Sequence, residues 1–156
     1  MKRWVKRGLV VVLVGFLAIQ FVPYGRDHTK PPVVAEPAWK SDLTRDLTVR
    51  ACFDCHSNQT VWPWYSNIAP ISWAVQRDVV AGRDELNFSE WHHSQDGDKA
   101  AETVRDKSMP PRQYLLLHPE ARLTQEQLAA LEVGLAATLG DEEAPGERDD
   151  DRDDGD

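Results

Sequence analysis

Five consecutive residues, Cys52-Phe53-Asp54-Cys55-His56, constrain this chain more than any other part of its sequence. Their spacing, Cys-x-x-Cys-His, is the attachment signature of a c-type haem. Each thiol can add across one vinyl group of the porphyrin, and the two intervening residues let one helical turn present both sulfurs. The histidine that follows then lies beneath the iron, where its imidazole can be the proximal ligand. We therefore predict one covalently bound haem c, held by Cys52, Cys55 and His56.

Two other kinds of site could use these cysteines, which are the only two in the chain. A dithiol redox centre of the thioredoxin type needs a strand–helix context and has no need of the histidine. No convincing strand precedes Cys52. A structural zinc site needs a fourth ligand, which His92 or His93 could supply. Covalent haem is the favoured interpretation, and the zinc and dithiol sites remain alternatives.

The formal net charge of −8 is concentrated at the C-terminus. Residues 141–156 contain ten acidic and two basic side chains, whereas the other 140 residues contain sixteen of each sign. Because this segment has almost no apolar surface to bury, we predict a disordered acidic tail. The rest of the chain has no basic cluster, so we expect no nucleic-acid partner.

The N-terminal segment, residues 1–25, has the pattern of a membrane anchor. Four basic residues precede an uncharged, mostly apolar run over 8–25: Lys2, Arg3, Lys6 and Arg7. As a helix this run would be roughly 27 Å long, which is enough for a bilayer core. The basic end should stay in the cytoplasm, so the rest of the chain is expected in the periplasm or outside. We predict a single-pass transmembrane helix in the bacterial cytoplasmic membrane; a cleaved signal peptide is the alternative, although no clear cleavage site follows.

The remaining sequence predicts a small all-α domain. Residues 26–39 contain three prolines and few apolar residues, which is typical of a stiff spacer that holds a domain away from the membrane. Residues 40–140 contain apolar residues at helical spacing and no convincing strand pattern. Four helices are predicted, with Leu43 and Leu47 sharing the buried face of the first. The four helices are predicted to begin at or near Ser41, Pro70, Asp98 and Thr124. Gly82 is predicted to end the second helix and Gly140 the last.

An electron-carrying haem usually has a second protein ligand, and Met109 is the favoured candidate. It is the only methionine apart from the initiator, and Pro110 and Pro111 stiffen the loop around it. A thioether ligand stabilises ferrous iron and so raises the reduction potential. Met109 could instead fill a gap in the core.

Histidines and an open iron position are the alternatives to Met109. His92 and His93 lie in a polar stretch and are expected to be solvated. His118, which precedes Pro119, is better explained as a structural histidine bonded to the backbone. None of the three displaces Met109 as the favoured distal ligand.

Four blocks of sequence follow one another in this chain: CFDCHSN at 52–58, WPWYSNIAPISW at 62–73, LNFSEW at 86–91 and MPPRQYLLLHPEARLT at 109–124. Together they resemble the bacterial haem-binding domain family of small, membrane-anchored proteins with a single c-type haem. The resemblance covers about residues 40–140. It implies a helical, cytochrome c-like domain in which Cys52, Cys55 and His56 hold the haem. It supplies no partner and does not explain the acidic tail.

These features predict a one-electron carrier and not an enzyme. An iron with two protein ligands has no open position at which a substrate could react. The expected partners are membrane lipid, through the N-terminal helix, and an unidentified redox protein. Two alternatives remain: a haem-based gas or redox sensor in which Met109 dissociates, and an accessory subunit of a membrane redox complex.

Overall fold

The computed structural model describes residues 2–92 and 97–140, and its regular elements are helices throughout. In chain order they are α1 (Lys2–Ile19), α2 (Asp42–Ala51), α3 (Phe53–His56), α4 (Ile71–Glu85), α5 (Asp98–Arg105), α6 (Arg112–Leu117) and α7 (Gln125–Leu139), with short 3-10 turns at Trp64–Asn67 and Pro119–Ala121. Within the described residues the only strand-like pairing is an isolated bridge between Ala35 and Glu90. The all-α prediction is confirmed, whereas the predicted acidic tail and His93 lie outside the described residues.

The predicted caps begin two of the helices. The Ser41 hydroxyl accepts a hydrogen bond from the backbone N–H of Thr44 at the start of α2. At the start of α7, Thr124 and Gln127 form a capping box, in which each side chain bonds the other's backbone N–H. Both caps satisfy N–H groups that have no partner within the helix, so they fix where the helix begins.

The buried face of α2 differs from the prediction. Leu47 is buried, but Leu43 is 57% exposed, and Thr44 is buried instead. The reason is a close approach of α7: a Cβ on Gly134 would overlap the side chain of Thr44. This contact draws Thr44 to the inner side of α2 and leaves Leu43 in solvent.

Helix α4 begins after Pro70 as predicted, but Gly82 does not end it, and the helix continues to Glu85. Gly82 is instead buried against the Cys-x-x-Cys-His motif. A Cβ at this position would lie 2.6 Å from the backbone oxygen of Cys55. The glycine therefore serves the packing of α4 on α3, and termination occurs one turn later.

The hydrophobic core lies behind the motif and is built mainly by α2, α5 and α7. Phe53, the second residue of the motif, is buried and stacks on Phe88, with ring centroids 5.6 Å apart. The other fully or nearly fully buried apolar residues of this core include Leu47, Ala101, Val104, Leu131, Leu135 and Leu139. Because the motif contributes a core residue, the turn that carries both cysteines is anchored by ordinary hydrophobic packing.

The N-terminal helix ends before the apolar run from which it was predicted does. The run extends over 8–25, but α1 ends at Ile19, and none of its residues is buried. In the described part of the chain, no helix is long and apolar enough to cross a membrane. The predicted transmembrane helix is therefore not supported.

Residues 20–39 lie along the helical domain, although 26–39 were expected to hold it at a distance. The Gln20 side chain bonds both backbone groups of Ala69, donating to its oxygen at 2.8 Å and accepting from its nitrogen at 3.0 Å. The ring of His28 stacks on Trp62 with centroids 4.6 Å apart. These contacts attach the end of α1 and the proline-rich segment directly to the domain.

Candidate functional site

The Cys-x-x-Cys-His motif forms one helical turn at the junction of two helices. Cys52 ends α2 and immediately precedes α3, and its backbone oxygen accepts hydrogen bonds from the N–H groups of Cys55 and His56 at 3.1 and 2.9 Å. Both cysteines are free thiols. The structure thus brings the three predicted cofactor-binding residues together in a single turn, as their spacing indicated.

Both thiols are held in the neutral form. Burial raises the pKa of Cys52 to about 12 and is also the main cause that raises the pKa of Cys55 to about 11, with a further contribution from the charges of Asp54 and Asp78. Reactive cysteines of dithiol oxidoreductases have the opposite property, because their environment lowers the thiol pKa. The environment of this pair therefore disfavours the dithiol redox alternative.

His56 is oriented for metal binding by a backbone hydrogen bond. Its Nδ1 lies 3.0 Å from the carbonyl oxygen of Leu86, which can only accept, so Nδ1 carries the hydrogen. Burial lowers the pKa of the imidazole, against a smaller opposing effect of this bond. The ring is therefore neutral at neutral pH, with the lone pair on Nε2. A histidine that donates its other nitrogen to a carbonyl in this way is the usual arrangement of a metal-ligating imidazole.

The zinc alternative finds no support in the described residues. Among them, no group of three or more His, Cys, Asp or Glu side chains is placed to hold a metal ion together. His92, one of the two proposed fourth ligands, is exposed to solvent. A single imidazole beside two thiols fits haem attachment better than a closed tetrahedral site.

A polar network that sequence reasoning missed adjoins the motif. Asp54, between the two cysteines, accepts a hydrogen bond from the hydroxyl of Tyr114 at 2.8 Å. The Tyr114 ring stacks on His118, with centroids 4.0 Å apart. The Nε2 atom of His118 lies 2.7 Å from the hydroxyl of Tyr65, and its Nδ1 atom lies 2.9 Å from a carboxylate oxygen of Glu120. His118 is thus a structural histidine, but its partners are side chains and not the predicted backbone groups.

Met109 lies between α5 and α6, and the structure does not make it a core residue. Its side chain is 38% exposed, so it fills no gap in the core. Its backbone N–H bonds the oxygen of Thr103, which holds the loop on the end of α5. Helix α6 begins at Arg112, three residues after Met109, and it carries Tyr114 to Asp54. The loop of Met109 is therefore tied to the Cys-x-x-Cys-His motif through Tyr114, which lies five residues after the methionine.

Large apolar side chains are exposed on segments that adjoin this network: Val61, Trp64, Leu116 and Leu117. Val61 is joined to the motif through its N–H, which donates to Asp54 at 2.9 Å. Leu117 directly precedes His118. Exposed apolar residues grouped in this way usually mark a binding surface. Together with two partly buried thiols and a neutral, oriented imidazole, they fit a large, flat, mostly apolar cofactor such as a porphyrin.

Comparison with known proteins agrees with this fit. A family model described as "Haem-binding domain" matches residues 14–137. The matched range includes the complete motif, Met109 and every member of the polar network. No curated protein and no solved structure matches the chain.

Proposed function

The chain belongs to the haem-binding domain family, and on that premise we propose that it is a one-electron carrier with a single haem c. The observation that carries the proposal is the hydrogen bond of His56 to Leu86, which leaves a neutral imidazole nitrogen for the iron. When bound, the haem supplies reversible exchange of one electron at its iron. The protein's own residues hold this group, set its ligands and keep solvent from it.

Covalent attachment through Cys52 and Cys55 is supported by their place in one turn and by their chemical state. Each thioether forms when a thiol S–H adds across a vinyl group, so no oxidant is consumed. The thiols are neutral and unpaired. Phe53 holds the turn by stacking on Phe88 in the core. Gly82, in α4, holds it by close contact with Cys55.

We assign Met109 as the distal ligand. Its thioether is partly exposed and therefore available, and the bond between Tyr114 and Asp54 holds its loop to the motif. The competing candidate, His118, has both ring nitrogens engaged by Tyr65 and Glu120. Were His56 and Met109 both to bind the iron, no open position would be left for a substrate, which favours electron transfer over catalysis.

We further propose that α1 attaches the protein to the periplasmic face of the bacterial cytoplasmic membrane. The apolar side chains of α1 are exposed, and basic residues lie in its first two turns: Lys2, Arg3, Lys6 and Arg7. Apolar surface of this kind favours lipid, and basic side chains favour anionic headgroups. The redox partner would be another protein of the same compartment.

One experiment tests the cofactor and its ligands together: visible and near-infrared spectra of the purified, exported protein, oxidised and reduced. We expect a low-spin c-type haem with a charge-transfer band from sulfur to ferric iron. A high-spin iron with one open position would favour the gas or redox sensor instead. Membrane attachment is checked separately by fractionation, since a protein recovered only in the soluble fraction would contradict it.

A further inference from the structure

The end of α1 is joined to the helical domain by the side chain of Gln20. Its amide bonds both backbone groups of Ala69, donating to the oxygen and accepting from the nitrogen. Arg26 in turn donates to the backbone oxygen of Gln20 at 2.7 Å and to its Oε1 atom at 3.0 Å. Because one side chain bonds the domain twice and is itself held by Arg26, this joint fixes the point at which α1 leaves the domain.

A second contact follows at Gly25. This glycine is buried and has a φ of +83°, a backbone conformation that other residues rarely adopt. An added Cβ would lie 2.5 Å from the backbone oxygen of Ser72. Residues 20–25 therefore run along residues 69–72, and the chain between the two contacts is not a free linker.

Four apolar side chains between these two contacts are exposed, and together they are called the collar. Their exposed fractions are 87% for Phe21, 42% for Val22, 52% for Tyr24 and 47% for Ile71. Since residues 20–25 and 69–72 lie side by side, all four are at the root of α1. Exposed apolar residues grouped in this way usually mark a binding surface.

The two segments that meet at the collar contain no charged side chain. Residues 8–25 and 57–76 are uncharged throughout, in a chain in which 28% of the residues are charged. Charged groups are costly to bring into contact with lipid, and aromatic side chains favour the boundary between headgroups and acyl chains. An uncharged surface with two aromatic side chains therefore fits a lipid surface.

On the premise that α1 attaches to the membrane as proposed above, we propose that the collar lies in the interfacial layer of the same lipid surface. Its occupant is lipid and not a protein, because the collar continues the exposed apolar side chains of α1 with no charged residue between them. The joint at Gln20 then holds the haem-binding domain against the membrane in one orientation. A flexible linker would leave the domain free to rotate.

Photolabelling of the full-length protein in vesicles tests this contact without any use of electron transfer. The vesicles contain phosphatidylethanolamine, phosphatidylglycerol and a small share of a phospholipid with a diazirine near the glycerol end of its acyl chain. Mass spectrometry of the digested protein locates the adducts, which we expect on α1, Phe21 and Ile71. Leu43 and Val133, exposed apolar residues of α2 and α7, are the matched controls and should stay unlabelled.

Gln20→Ala removes the joint and leaves the side chains of the collar in place. The labelling of Ile71 relative to α1 should fall severalfold, while far-UV circular dichroism shows the helical content of the wild type. Three outcomes would overturn this inference alone: adducts confined to α1, controls labelled as strongly as the collar, or unchanged labelling of Ile71 in Gln20→Ala. The absence of adducts on α1 itself would overturn the proposed membrane attachment as well.

Discussion

The α-carbon of Gly82 faces the backbone of Cys55 so closely that a Cβ there would lie 2.6 Å from the Cys55 oxygen and 3.0 Å from its carbonyl carbon. The three nearest atoms all belong to Cys55, two of its backbone and its Cβ, so no flexible end of a side chain is there to move aside. The second cysteine of the motif is therefore positioned by the absence of a side chain on the neighbouring helix.

Gly82→Ala should consequently destabilise the protein and lower the fraction of chains that carry haem. Overpacking of this kind costs roughly 1–3 kcal/mol, which exceeds the gain from a better helix former. Thermal unfolding and the ratio of haem to protein absorbance measure the two effects. Gly15→Ala, at a glycine with nothing within 4 Å of an added Cβ, is the control. Equal stability of the two variants would show that α4 can shift away from the motif.

Replacing the cysteines tests covalent attachment. Cys52→Ala or Cys55→Ala should leave at most one thioether, and the double variant should leave none. Haem staining after denaturing electrophoresis reports the bond directly, because only covalently bound haem stays with the chain. Haem retained by the double variant under these conditions would disprove the attachment.

Met109→Ala should open the distal position of the iron or admit water. Because a thioether favours ferrous iron, the reduction potential should fall, and the charge-transfer band from sulfur to ferric iron should disappear. His118→Gln should keep that band, since both nitrogens of His118 already have partners. The opposite pattern, with the band lost only in the His118 variant, would make that histidine essential to ligation.

Tyr114→Phe isolates the hydrogen bond that ties α6 to the motif. The phenylalanine keeps the stacking on His118 but removes the donor to Asp54, which is 2.8 Å from the tyrosine oxygen. A hydrogen bond to a charged group contributes about 1.5–3 kcal/mol, so the free energy of unfolding should decrease by up to that amount. Tyr24→Phe, at an exposed tyrosine, should have no effect in the same denaturant titration. A Tyr114 variant as stable as the wild type would mean that stacking alone holds α6.

Glu36 should contribute stability that depends on pH. A hydrogen bond from Arg45, at 2.8 Å, lowers the pKa of this carboxyl below its ordinary value of 4.5. The carboxyl binds protons more weakly in the folded chain than in the unfolded chain, so its contribution is present above about pH 4.5 and is lost as the pH falls below that value. Glu36→Gln should cost less than about 1 kcal/mol at neutral pH, because the pair is partly exposed. The free energy of unfolding of the wild type and of Glu36→Gln should be measured at neutral pH and again below pH 4.5. The two proteins should differ only at neutral pH.

The local structure around the cofactor site could be predicted from short stretches of sequence. The caps at Ser41 and Thr124 each act on an N–H group three residues away, so each is visible in a single segment. The motif is equally local, since one helical turn suffices to bring its cysteines and His56 together. These features needed no knowledge of the rest of the chain.

Only the tertiary structure decided which residues far apart in sequence come into contact. Gly82 was predicted to end a helix, because its contact with Cys55 cannot be recognised from either segment alone. His118 was predicted to bond the backbone, yet its partners include Tyr65, 53 residues away.

The sequence by itself thus determined the all-α class, the caps of α2 and α7, and the single turn that carries Cys52, Cys55 and His56, whose geometry is set within a few residues. The tertiary structure decided where α1 ends and attaches, which glycine packs against the turn of the motif, and which side chains surround His118. The physical reason is range: caps and helical periodicity act over one or two turns, whereas packing and buried hydrogen bonds form only where the folded chain brings distant side chains into contact.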